Sequence, residues 1–337
     1  MDRMHRAADR AAADQDVRVI PHGPERTLRY VDLVSGLIDV HQHLVPPDYR
    51  AAVDAATGGS VGGIPQPAWD ETSMLARMEA LHIDRAVLSV SAPALAPLGA
   101  ADRPALARSC NQTMADLSAR HPGRVGGFAL LPLPDVDATL AEIAYALDVL
   151  RLDGVAVLTN YEGRYLGDRR FAPVLAELDR RHAVVHVHPN LPPAMADARL
   201  MLPAPVLEFT FDTTRMVAEL ILTETPARYP NLKLVLSHLG GTLPWAAWRL
   251  SMLDDFPSAD GGRREPVRDQ LRRFYYDLAL SASPEALQLA AEVVGTDRLL
   301  YGSDIPFAPA PFVEKNTAAV DPNLAARTRD NAERLFG

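Results

Sequence analysis

The stretch IDVHQHLVPP, residues 38–47, joins an apolar run to two histidines that are separated by one residue. The apolar run is typical of a buried β-strand. Successive side chains of a strand point to opposite faces, so His41 and His43 share one face and form a chelating pair. A catalytic metal site usually needs about three protein ligands and one open position. Further ligands are therefore expected later in the chain.

The composition is that of an ordinary globular protein. The chain has 337 residues, is 48% hydrophobic and carries a formal net charge of -9, which disfavours nucleic acid and anionic membranes as partners. No apolar run approaches the roughly 20 residues of a membrane span, and residues 1–16 lack the apolar centre of a secretory signal. We therefore expect a cytoplasmic protein. The single cysteine, Cys110, excludes a disulfide framework and a thiolate metal site.

Strand-like apolar runs alternate with helical patterns from residue 36 onward. The predicted strands are residues 36–41, 85–91, 125–131, 154–159, 183–188, 232–238, 275–280 and 298–304. Because these strands are apolar at nearly every position and alternate with helices, they predict an α/β fold, the (β/α)8 TIM barrel. An open doubly wound sheet is the alternative. It would need a glycine-rich phosphate loop after the first strand to bind a dinucleotide, and the turn HQHLVPP provides none.

We expect the chain to divide into an N-terminal leader or arm over residues 1–36 and a single barrel over residues 37–337. The barrel is expected to be distorted by helical insertions, because two segments exceed a minimal barrel. Residues 57–70, rich in Gly and Pro, are predicted to form a loop over the active face, and residues 254–269 a surface excursion.

The candidate functional residues lie at the C-terminal ends of the predicted strands, where this fold places its chemistry. The first strand ends in His41 and His43, the fifth in His188, the sixth in His238 and the eighth in Asp304. Three histidines and a carboxylate suit Zn²⁺ or Mn²⁺, with one histidine left for proton transfer. Singly, each histidine has an alternative interpretation as a hydrogen-bonded core residue, and Asp304 as a turn former. The coincidence of all five favours a metal site.

Other histidines have simpler interpretations. His186 shares a face with His188 but lies one layer deeper, so we predict a buried histidine that supports the site or belongs to the core. His22, His82, His121 and His182 lie in predicted helices or connections and are expected to be surface or capping residues.

In order and spacing, the motifs DVHQH, HVHPN, SHLGG and SDIPF resemble the amidohydrolase superfamily. The resemblance is to its mononuclear branch, which includes aminocarboxymuconate semialdehyde decarboxylase and the hydroxybenzoate decarboxylases, and it covers residues 37–337. It implies four metal ligands, which are His41, His43, His188 and Asp304.

The resemblance also implies roles outside the metal ligands. His238 matches a catalytic histidine, Phe307 an aromatic wall of the substrate pocket, and Arg249 an arginine that reaches across a dimer interface to a substrate carboxylate. Hydrolases with two metals in this kind of barrel use a carboxylated lysine at the end of the fourth strand. The segment GVAVLTNYEG has no lysine, and Lys233 and Lys315 lie elsewhere. We therefore predict one metal ion, with zinc the first choice and manganese the second.

Two longer segments, residues 67–93 and 158–181, are similar to 6-methylsalicylate decarboxylases. The implied activity is the non-oxidative decarboxylation of a small 2-hydroxybenzoate without an organic cofactor. We expect Asp304 to deliver a proton to the ring carbon that bears the carboxylate, with His238 supporting its acid form, before CO₂ leaves.

Several side chains are candidates for the substrate pocket. They are Trp69, Ser91, Asn160, Arg164, Phe211, Arg249 and Phe307. The aromatic residues have an alternative role in packing, and Arg249 in an interface ion pair. Two other functions stay open: a metal-dependent hydrolase in which activated water attacks a lactone or an amide, and a metal-free barrel used for binding. The expected partners are a small aromatic carboxylate and a second copy of the chain.

Overall fold

The computed structural model describes residues 36–191, 202–258 and 261–337, so all but the last residue of the predicted leader over residues 1–36 lies outside the described residues. Eight parallel strands form one sheet. In sheet order they are β1 (Leu37–His43), β4 (Ile83–Ser89), β5 (Val125–Leu130), β6 (Gly154–Leu158), β9 (Val184–His188), β10 (Lys233–Leu236), β11 (Tyr275–Asp277) and β12 (Leu299–Leu300). Asp39 of β1 forms a parallel bridge with Tyr301, which follows β12, and this bridge closes the sheet. The predicted (β/α)8 barrel is confirmed.

Helices and two short hairpins surround the barrel. The hairpins pair β2 (Ser60–Val61) with β3 (Ile64–Pro65) and β7 (Asn160–Tyr161) with β8 (Arg164–Tyr165). The α-helices in the described ranges are α1 (Pro47–Thr57), α2 (Glu71–Ala80), α3 (Arg103–Arg120), α4 (Val136–Ala144), α5 (Ala172–Arg180), α6 (Ala204–Leu222), α7 (Thr225–Arg228), α8 (Leu243–Leu250), α9 (Val267–Leu271), α10 (Pro284–Val293), α11 (Ala310–Ala318) and α12 (Pro322–Phe336). Among the helices described, none has the length and apolar character that crossing a membrane requires.

Helix starts follow local chemistry. Asp70 begins α2 by accepting a hydrogen bond from the backbone N–H of Ser73 at 2.8 Å, and Asp321 caps α12 in the same way. Several helices have proline in the first turn. Backbone N–H groups there have no partner within the helix, so proline costs no hydrogen bond. α6 begins at Ala204, directly after the N-cap residue Pro203.

The segment over residues 57–70 is a hairpin rather than an irregular loop. A Cβ at Gly62 would lie 3.3 Å from the Cβ of Ala204, so the hairpin packs closely against the first residue of α6. The start of α6 and this insertion after β1 are therefore neighbours.

Buried apolar residues fill the space inside the barrel as well as the layer between strands and helices. One cluster takes Ile38, Val87, Phe128 and Val235 from different strands and is completed by Leu335 of α12. Because the strands form a closed sheet, residues shared among them in this way fill its interior. The pairing of β1 with β4 shifts register between Asp39 and Gln42. A bulge of this kind re-aims side chains near an active site, and here it contains His41 and lies just before His43.

Candidate metal centre and active site

Four buried side chains converge at the C-terminal end of the barrel. The ligand atoms that His41, His43, His188 and Asp304 offer all lie within 4.8 Å of one another. The Nε2 atom of His43 lies 3.0 Å from Nε2 of His41 and 3.0 Å from Oδ1 of Asp304. These are the four residues that the sequence motifs assign to a metal, and the structure brings them together.

Hydrogen bonds on the far side of each imidazole decide which nitrogen faces the centre. The Nδ1 atom of His41 lies 2.9 Å from a carboxylate oxygen of Asp277, that of His43 lies 3.3 Å from the carbonyl oxygen of Ser89, and that of His188 lies 2.8 Å from the carbonyl oxygen of Pro189. These acceptors place the proton on Nδ1 and leave the Nε2 lone pair directed at the centre.

Two such lone pairs at 3.0 Å repel each other unless a positive charge lies between them. The donor set of three imidazoles and one carboxylate therefore fits a divalent cation such as zinc.

The electrostatics of the protein groups agree with this interpretation. Burial lowers the pKa of His41, but Asp277 and Asp304 outweigh it and raise the pKa to about 10. Burial holds the pKa of His43 and that of His188 below the ordinary value, so both imidazoles are neutral. Burial raises the pKa of Asp304, yet His41 and His43 bring it well below its usual range. The two carboxylates thus favour a positive charge at this point, which a proton on His41 or a metal cation in its place would supply.

His238 lies beside the four ligands. Its ring centroid is 4.9 Å from that of His41, and its Nδ1 donates to the carbonyl oxygen of Ala279 at 3.1 Å. Both His238 and Asp304 have left-handed backbone conformations, with φ of 53° and 62°. Side chains disfavour this region, and such strain is concentrated at active sites. Gly241 has φ of 68°, and a Cβ there would lie 2.1 Å from the carbonyl oxygen of Thr210, which explains a glycine in SHLGG.

Asp277 is the important residue that the sequence reasoning missed. It is fully buried, accepts from Nδ1 of His41, and accepts from the backbone N–H of His238 at 3.0 Å. One carboxylate therefore orients a candidate ligand and the candidate catalytic histidine. The signal was available in YYDLAL, because Asp277 ends the seventh strand as Asp304 follows the eighth.

His186 lies deeper in the barrel than His188, as predicted. Its ring stacks on Phe128 with centroids 5.5 Å apart, and its Nε2 lies 3.4 Å from a carboxylate oxygen of Asp277. Burial lowers the pKa of His186 to about 4, so it is a neutral supporting residue.

The structure places two of the predicted substrate-binding residues beside this centre, and a third, Trp69, against the main core. The Ser91 hydroxyl lies 3.3 Å from Nε2 of His188, and the ring centroid of Phe307 lies 5.4 Å from that of His43. Trp69 packs against the main core, and its indole Nε1 is buried without a hydrogen-bond partner in the described residues. An unpaired buried N–H is a donor available to a ligand.

The other four candidates have different surroundings. Asn160 is buried and donates to Asp212 at 2.9 Å, whereas Arg164 pairs with Asp168 at 3.1 Å. Phe211 is 37% exposed. Arg249 is exposed in the last turn of α8. The contact of these four residues with substrate stays a prediction.

The chain belongs to the amidohydrolase family, whose model matches residues 38–337. It is 37% identical over 320 residues to Decarboxylase yanB of Aspergillus niger, with 89% of this chain and 87% of that protein covered. It is also 37% identical over 278 residues to the 6-methylsalicylic acid decarboxylase of Penicillium expansum, with 81% and 85% covered. The crystal structure of an amidohydrolase II superposes with a TM-score of 0.81 at 29% identity, covering 89% of this chain and 99% of that one. The predicted family is confirmed.

Proposed function

We propose that this protein is a metal-dependent, non-oxidative decarboxylase of a small 2-hydroxybenzoate such as 6-methylsalicylate. The observation that carries the proposal is the convergence of three imidazoles and one carboxylate within 4.8 Å at the C-terminal end of the barrel, which we call the mouth. The relative that is named a 6-methylsalicylic acid decarboxylase supports the choice of reaction and substrate. A hydrolase with the same ligands is less well supported, because the relatives reported above are named decarboxylases.

The residues of the centre divide the chemistry among them. His41, His43, His188 and Asp304 would hold a divalent cation, which would supply a Lewis acid for the phenolate and carboxylate oxygens of the substrate. Direct loss of CO₂ would leave an aryl carbanion, so a proton must reach the ring first. His238 gives a proton to Asp304, and Asp304 passes it to the ring carbon that bears the carboxylate. The bond to the carboxylate then breaks, its electron pair restores aromaticity, and CO₂ leaves. His238 then takes a proton from solvent water for the next cycle.

Zinc is the metal that we propose, with manganese second. Three imidazoles and one carboxylate accept either ion. Metal analysis of protein expressed with both ions supplied tests the choice, and manganese in excess of zinc would reverse it.

A cytoplasmic location stays a prediction. We further propose that the protein forms a homodimer through the outer face of α8. Trp245 and Trp248 are 77% and 82% exposed, and Met252, in the turn after α8, is 61% exposed. Large apolar side chains exposed together mark an interaction surface. Arg249 lies on the same helix, which agrees with its predicted position at a dimer interface. Light scattering tests this proposal, and Trp248→Glu should convert a dimer into monomers.

The activity is tested by incubating metal-quantified protein with 6-methylsalicylate and a panel of 2-hydroxybenzoates in D₂O. We expect CO₂ release and deuterium at the vacated ring carbon, both lost on chelation and restored by Zn²⁺. Metal-loaded protein that turns over no member of the panel would contradict the proposal, and lactones and amides would be assayed next.

A further inference from the structure

The carboxylate of Asp212 lies outside the proposed metal ligands and is completely buried on α6. Its oxygens accept hydrogen bonds from the hydroxyl of Thr159, from the side-chain amide of Asn160 at 2.9 Å and from the hydroxyl of Tyr165 at 2.8 Å. Burying a carboxylate costs free energy unless donors satisfy it, and three donors from the end of β6 and the following hairpin do so here. The free-energy cost of burying this carboxylate points to a role of Asp212 beyond packing.

Thr159 connects this carboxylate to the segment that carries His188. The backbone N–H of Thr159 donates to the carbonyl oxygen of His188 at 2.9 Å, and the hydroxyl oxygen of Thr159 accepts from the backbone N–H of Asn190 at 2.9 Å. Because the oxygen accepts from Asn190, its own proton is directed to Asp212. Thr159 therefore holds the chain on both sides of Pro189.

The carbonyl group between those two anchors determines the state of His188. Nδ1 of His188 donates to the carbonyl oxygen of Pro189 at 2.8 Å. This bond keeps the proton on Nδ1 and leaves Nε2 free to bind a cation. If the segment from His188 to Asn190 moved, the acceptor would be lost and the imidazole could turn or change tautomer.

We propose that Asp212 and Thr159 are positioning residues for the metal site, and that they act through the backbone around Pro189 to hold His188 in its ligating form. The proposal rests on the proposed metal site but concerns residues that touch neither metal nor substrate. Groups that orient a ligand in this way typically change metal affinity by about 10- to 100-fold when they are removed.

The first test compares three variants by chelator competition for Zn²⁺ in the full chain. Thr159→Val keeps the shape of the side chain but removes the hydroxyl, and we expect about 10- to 100-fold weaker metal binding. Thr159→Ser restores the hydroxyl and should restore affinity. Tyr165→Phe is the matched control, because it removes a hydrogen bond to the same carboxylate without touching the His188 segment. It should bind metal as the parent does.

A second variant and a metal-free readout cover the case in which Thr159→Val folds poorly. Asp212→Asn presents an amide N–H₂ to three donors, so it should weaken metal binding in the same direction. Histidine ¹⁵N spectra of the metal-free protein should show loss of the Nδ1-protonated form at one histidine in Thr159→Val and Asp212→Asn, and retention of that form in Tyr165→Phe.

The outcomes separate this proposal from the proposed function. A parent protein that binds no metal would overturn the proposed function. A parent that binds Zn²⁺ while a folded Thr159→Val or Asp212→Asn binds it equally well would overturn only the positioning role. Equal loss of affinity in Tyr165→Phe would also overturn it, because general loosening of the Asp212 cluster would then explain the result.

Discussion

Charged side chains of the barrel differ in burial between the surroundings of the histidine cluster and the N-terminal end of the strands. Beside the histidine cluster, Asp39 and Asp277 are fully buried and accept hydrogen bonds from histidine, hydroxyl and backbone N–H donors. Burial raises the pKa of Asp39 to about 6 in spite of its hydrogen bonds to Ser303 and the His41 backbone. At the N-terminal end, Arg85 pairs with Asp153, and both side chains are partly exposed. Burying the charges beside the histidine cluster thus costs desolvation free energy, whereas the partly exposed pair of Arg85 and Asp153 costs little because water still reaches it.

Left-handed residues show the same contrast. His82 and His182 have φ of 54° and 52°, but each is the residue just after a helix C-cap, where this conformation is common. At the mouth, His238, Leu280 and Asp304 have φ of 53°, 54° and 62° and follow strands instead. The left-handed residues at the N-terminal end of the barrel terminate helices, whereas those at the C-terminal end position candidate functional side chains. This agrees with the general division of barrel enzymes into a stable base and an active C-terminal face.

The largest expected effect comes from removing one of the proposed metal ligands. His188→Ala should abolish both metal content and turnover, whereas His238→Asn should keep the metal and lose turnover, because only the first removes a ligand. Metal analysis and the CO₂ assay on both variants check this prediction. A His188→Ala protein with a full complement of metal would refute the ligand assignment.

The next largest effect is expected at Asp277. Asp277→Asn removes the charge that orients His41, so metal affinity should fall by about 10- to 100-fold with the fold retained. Chelator competition measures the affinity, and circular dichroism confirms folding. Parent-like affinity would mean that Asp277 serves the core alone, which would weaken the contrast between the two ends.

A smaller effect, on stability alone, is expected at the base. Arg85→Met keeps the side-chain stem but removes the partner of Asp153, and partly exposed pairs contribute about 1 kcal/mol. We expect a lower urea midpoint with unchanged metal affinity and kcat. A loss of metal binding in this variant would break the separation of base from mouth.

The smallest effect concerns an ion pair on the barrel's outer surface. Hydrogen bonds from Arg120 and His121 lower the pKa of Glu71 from 4.5 to about 2. Because the folded pKa lies below the unfolded one, the stabilisation is complete above the unfolded value and is lost as pH falls toward 2. Urea midpoints of the parent and Glu71→Gln should therefore differ at neutral pH and converge in acid. A difference that persists unchanged at pH 2 would contradict the assignment.

The accuracy of sequence reasoning differed from one part of the site to another. His41, His43, His188 and Asp304 were found because strand ends can be located from apolar runs, and the fold brings those ends together. Asp277 was missed because its strand is short: β11 spans Tyr275–Asp277, whereas the apolar run suggested a longer strand. The left-handed Leu280 lies within that run.

By itself, the sequence determined the barrel, the family and the four converging side chains, because hydrophobic periodicity and motif order are local properties of the chain. Tertiary structure decided the rest. It decided that the Nδ1 atoms of His41 and His188 bond to Asp277 and Pro189, and that Asp212 of a distant helix lies against Thr159. These arrangements depend on hydrogen bonds between segments far apart in sequence, whose partners no local pattern specifies.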